Sequence, residues 1–102
     1  MMKSISCRLL VCLLGLMAYA EETQEQQVER LIKELQDPDS DVRSIAAVTL
    51  GEMGPEAKDA VPALIQLLQD QSSDVRLNAA VALKNIGTPE ALKAVKEYQS
   101  RQ

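Results

Sequence analysis

The stretch from Val28 to Gly54 returns 33 residues later as Val61 to Gly87, with 15 of the 27 aligned positions identical. The shared positions include Leu31/Leu64, Leu35/Leu68, Asp37/Asp70, Asp41-Val42-Arg43/Asp74-Val75-Arg76, Ala46-Ala47/Ala79-Ala80, Leu50/Leu83 and Gly54/Gly87. A unit of this size cannot enclose a core by itself, so the fold must be a stack in which each unit covers the apolar face of its neighbour.

Within the unit the apolar period is helical. Val28, Leu31, Ile32 and Leu35 fall at i, i+3, i+4 and i+7, one face of a helix expected from about Gln24 to Gln36. Pro38 cannot continue it, so Asp37 to Ser40 reads as a turn. Ser40 or Asp41 can cap a second helix running to about Met53, which Gly54-Pro55 ends.

The second unit repeats this logic with Val61, Leu64, Ile65 and Leu68. Either Asp59 caps its opening helix or Pro62 kinks a longer one. Its second helix, from about Asp74 to Ile86, presents Val75, Ala79, Ala82, Leu83 and Ile86 to the core. A third, partial unit begins with Thr88 as cap and Pro89 at the first helical position, and runs to about Gln99. Its Lys93, Lys96 and Arg101 make that end polar, as a capping unit requires. The expectation is an all-α superhelix of about five helices in two and a half repeats, with units at about 24–54, 55–87 and 88–102.

Leu35-Gln36-Asp37, Asp41-Val42-Arg43, Ala46-Ala47 and Leu50, with their counterparts 33 residues on, resemble the HEAT repeat. The stretch Gly54 to Ala57 is similar to its short form in phycobilisome-lyase-like proteins. The resemblance covers about Glu25 to Tyr98 and implies a helical solenoid that binds a protein partner. It also implies that Asp37, Arg43, Asp70 and Arg76 belong to a polar ladder joining the units, through Arg43 to Asp70 or through Arg76 to Asp37. A guanidinium there can bridge a carboxylate and free helix-end carbonyls.

The first 20 residues are expected to be a signal peptide. Lys3 and Arg8 are followed by the apolar run Leu9 to Ala18, and Ala18-Tyr19-Ala20 fits a small-x-small cleavage site. The apolar run is shorter than the roughly 20 residues that a membrane helix needs. The chain is therefore expected to be secreted or periplasmic after cleavage following Ala20, with an uncleaved membrane-anchoring signal as the alternative. Cys7 and Cys12 both lie in this segment, so residues 21–102 have no cysteine and the chain no histidine. An exported domain of that kind holds together by packing, without disulfides or cofactor. The acidic segment Glu21 to Gln27 is expected to fray.

Composition also narrows function. Two of the 11 basic residues and none of the 15 acidic ones precede Glu21, which leaves nine basic against fifteen acidic, net −6. That balance disfavours nucleic acid, whose binders carry a basic stripe. Deoxyhypusine hydroxylases share such helical pairs but hold iron with His-Glu dyads, and no His occurs here. Glu52 and Asp59 are lone carboxylates on amphipathic elements and read as solvated, and Gly51, Gly54 and Gly87 do not form a phosphate loop.

The expected function is thus an exported protein-binding module or scaffold without catalysis. One alternative is an accessory factor for pigment or cofactor attachment related to bilin lyases; another is a structural fragment that stacks on itself. The candidate binding face is the side of the second helices turned from the core: Ser44, Val48 and Glu52, then Leu77, Val81, Lys84 and Asn85, with Leu77 and Val81 as an apolar patch.

Overall fold

The computed structural model describes residues 22–102. The expected signal segment, its cleavage site after Ala20 and both cysteines lie outside the described residues. Five α-helices and one 3₁₀ segment follow in order: α1 Gln24–Glu34, α2 Ser40–Met53, the 3₁₀ segment Gly54–Ala60, α3 Val61–Leu67, α4 Ser73–Ile86 and α5 Pro89–Ser100. Among the described residues there is no strand, and the fold is the expected all-α stack of helical units.

From Thr23 on, the acidic leader is a capped helix rather than a frayed start. Thr23 Oγ1 accepts from the Gln26 N–H at 3.1 Å and Gln26 Oε1 from the Thr23 N–H at 3.0 Å. This reciprocal box satisfies two donors at the helix start and lets α1 begin at Gln24. At its other end α1 stops at Glu34, two residues early, because Gln36 and Asp37 tighten into i→i−3 bonds with Lys33 and Glu34.

Ser40 and Asp41 are not the cap of α2. Asp39 is extended, at φ −83° and ψ 121°, and its carboxylate accepts from the Asp41 N–H at 2.8 Å. Ser72 fills the same role for α4, accepting from the Val75 N–H. Gly54 ends α2 at φ 68°, a region that L side chains avoid.

The second unit opens differently from either expectation. Asp59 makes no cap and Pro62 breaks no helix; the 3₁₀ segment runs straight into α3, with the one non-helical residue at Ala57. Pro62 sits in the first turn of α3, where its fixed φ suits the helix. Ala57 and Ala60 pack fully into the core. Gly87, at φ 75°, closes α4 with its N–H on Leu83 O, and Thr88 Oγ1 caps α5 from the Ala91 N–H.

Burial follows the repeat. Leu35, Leu50, Leu64, Leu83, Val61 and Val75 are each below 2 % exposed, and among the described residues no polar one is buried. Each such leucine or valine contributes about 1.5–3 kcal/mol relative to exposure, which makes the core the main stabilising term. The most extensive contact is between α2 and α4, the second helices of successive units. Gly51 makes their close approach feasible, since a Cβ there would stand 2.8 Å from Ala82 Cα.

Candidate functional site

Two features lie where α2 and α4 meet: an ion pair at their N-terminal turns and a groove along their outward side. Arg43 on the first turn of α2 reaches across to Asp70 in the turn before α4. Its Nε donates to Asp70 Oδ2 at 2.9 Å and its Nη2 to Asp70 Oδ1 at 3.0 Å, a two-pronged contact. Its Nη1 holds the carbonyls of Asp37 and Pro38 at 2.7 and 3.0 Å. The two side chains are only 15 % and 9 % exposed, so water competes little with the pair.

Asp70 also accepts from the Ser72 N–H at 3.0 Å. Burial pushes its carboxyl up, but the Arg43 hydrogen bonds, the Ser72 N–H and the charges of Arg43 and Arg76 outweigh that and hold it below its ordinary value.

The other cross pair does not form. Asp37 uses its carboxylate on the Asp39 N–H at 2.9 Å. Arg76 donates Nη1 to the carbonyls of Asp70 and Gln71 at 2.7 and 3.2 Å, and no carboxylate bonds it among the described residues. The reason is geometric: Arg43 and Asp70 face the junction between the units, whereas Arg76 faces the far end of the stack.

The groove has two stretches that share Asn78. One is lined by Asp41, Ser44, Ile45, Asp74 and Leu77, the other by Val48, Gly51, Glu52, Val81, Ala82 and Asn85. Six of the seven expected binding-face residues therefore lie along one line. Lys84 does not: it is the counterpart of Gly51, which faces the next unit, so Lys84 points to the open flank of α4.

Ile45 is 65 % exposed and Leu77 60 %, with Val48 and Val81 at 42 % and 47 %, so the apolar row is twice as long as Leu77 and Val81 alone. Sequence reading missed Ile45 because its counterpart is Asn78; counting outward positions on both helices would have found it. Asp41, Asp74 and Glu52 edge the row with negative charge.

The stretches enclose about 360 and 220 Å³. Small-molecule pockets run roughly 300–1,000 Å³ and bury most of their ligand, so these open stretches suit side chains of a macromolecule better. Among the described residues no group of three or more acidic, His or Cys side chains could hold a metal ion, and no helix is long and apolar enough to cross a membrane.

A family model described as HEAT repeats matches residues 28–101. No curated protein matches the chain.

Proposed function

The chain belongs to the HEAT-repeat family, and from that premise we propose that it is an exported, non-catalytic module whose protein partner seats in the α2–α4 groove. The observation that carries this reading is the exposed row Ile45, Val48, Leu77 and Val81, apolar on a helix pair that is otherwise polar outward. A continuous apolar row rimmed by charge is the usual mark of an interaction surface. The acidic rim at Asp41, Asp74 and Glu52 favours a partner segment with basic residues beside its apolar anchors. Export rests on Lys3, Arg8 and the Ala18-Tyr19-Ala20 site.

The test is affinity capture from the exported fraction with the mature chain as bait, beside Val48→Asp and Val81→Asp baits. A partner held by the parent chain and lost from both variants supports the reading; one retained by both places binding elsewhere. A second reading, an accessory factor related to bilin lyases, draws on the short repeat form and the Gly54 to Ala57 stretch. Pigment bound by the mature chain, read as a visible absorption band after mixing, would favour it.

A further inference from the structure

The α2–α4 groove has a polar midpoint that its apolar row does not account for. Asn78 is half-buried there, flanked by Ile45 and Leu77 in one stretch and by Val48 and Val81 in the other. Among the described residues no hydrogen bond ties its carboxamide to the fold, so its NH₂ and its oxygen are both left to whatever fills the groove. Charge in the groove has one sign: Asp41 and Asp74 stand at one end and Glu52 at the other, and no Lys or Arg lines either stretch.

An occupant has to meet the amide as well as the apolar row, because covering Asn78 with hydrocarbon would strand a donor and an acceptor away from water. A docked helix has spent its backbone N–H and C=O groups on itself and could answer only with a side chain. An extended segment carries both groups of every second residue free along one edge. The spacing agrees with the second form. Leu77 and Val81 are four residues apart, about 6 Å along α4, close to the roughly 6.6 Å between alternate residues of an extended chain.

We propose, on the reading that the groove is the partner's seat, that its occupant is an extended segment of another protein with the pattern basic-x-apolar-x-apolar-x-basic. The two apolar side chains share one face and fill the two stretches. The residue between them offers its backbone N–H to Asn78 Oδ1 and its C=O to Asn78 Nδ2. The basic residues meet Asp41 and Asp74 at one end and Glu52 at the other. They lie about 20 Å apart along an extended chain, against about 16 Å of helix from Asp41 to Glu52, a difference that flexible Lys stems absorb.

The probe is the peptide acetyl-Lys-Ser-Leu-Ser-Leu-Ser-Lys-amide, titrated into the isotope-labelled full chain and followed by NMR. The expected result is saturable shifts of the Asn78 carboxamide protons and of the Ile45, Val48, Leu77 and Val81 methyls, with affinity falling as salt is added. N-methylation of the central Ser removes the N–H meant for Asn78 Oδ1. It should weaken binding about tenfold on the parent chain and leave binding to an Asn78→Leu chain unchanged. If Asn78→Leu fails to fold, the two peptides on the parent chain still decide. Glu in place of both Lys should abolish the shifts. The rival is a helical peptide with Leu at i, i+3 and i+7 and Lys at both ends. Tighter binding of that peptide in the groove, or equal binding of the parent and N-methylated peptides, would overturn the extended occupant and leave the groove as the partner's seat. Shifts outside the groove, or none that saturate, would overturn it as well. Capture with Val48→Asp and Val81→Asp baits reports separately on the seat itself.

Discussion

Arg43 and Arg76 occupy identical places in the repeat and make the same grip on their own turn carbonyls, yet only Arg43 has a carboxylate in its fork. Their substitutions should therefore differ. Arg43→Ala strands the 9 % exposed Asp70 carboxylate and should cost about 2–3 kcal/mol, whereas Arg76→Ala, at an open end, should cost roughly 1. Denaturant unfolding measures both, and a double-mutant cycle should find coupling for Arg43 with Asp70 but none for Arg76 with Asp37. Equal losses for the two arginines would mean that the carbonyl grip alone matters. Asp70 adds a pH signature. Because its folded-state pKa is lowered, its contribution is fully present above the unfolded carboxyl value of about 3.9 and is lost as pH falls through the lower folded value. The stability gap between the parent and Asp70→Asn should hold from about pH 7 to 5 and close progressively below about pH 4. A gap unchanged in strong acid would show that the pair works without its charge.

At the scale of the helix, what the sequence made legible was what repeats. The core period, Gly54, Gly87 and the Thr88-Pro89 start could be read directly, because each acts through its own backbone or a fixed apolar spacing. The caps of α2 and α4 escaped because attention falls on identical positions such as Ser40 and Ser73, while the cap role passes to Asp39 and Ser72, which differ in identity and agree in chemistry. The 3₁₀ entry to α3 was hidden for another reason: Ala57 and Ala60 are placed by burial, which a local signal does not carry. Of the candidate site, the direction of the second helices was legible and the reach of Ile45 was not. Nor was the role of Gly51, visible only as a mismatch with Lys84. An exposed mid-helix Gly→Ala change gains about 0.5–1 kcal/mol, but here the new Cβ would meet the Ala82 backbone at 2.8 Å. Gly51→Ala should therefore destabilise by about 1–2 kcal/mol, and Lys84→Ala on the open flank should be near neutral. A thermal melt in which Gly51→Ala is the more stable protein would show that α2 and α4 can part without loss.

For the molecule as a whole, these contacts decide how it unfolds. Each unit touches only its neighbours, which in a long array allows ends to open separately, but here α4 packs on α2, α3 and α5 together, so no unit is more than one helix away from it. The buried set joins Val28 and Leu31 of the first unit to Ala91 and Val95 of the last in one cluster. Cooperative, single-step unfolding follows, and a lesion at the far end should be felt throughout. Val95→Ala removes buried methyl groups from α5 and should cost about 1–2.5 kcal/mol. At this size that lowers the melting temperature by roughly 4–8 °C per kcal/mol, as one transition shifted intact. With no histidine in the chain and no cysteine after Cys12, neither chelator nor reductant should move that transition in a protein of residues 21–102. Circular dichroism gives the melt, and native-state amide exchange tells a shared opening from a local one. Exchange that is accelerated in α5 alone, with α1 and α2 protected as before, would mean that the last helix is a dispensable flap, and the open flank of α4 would then be wider than the fold implies.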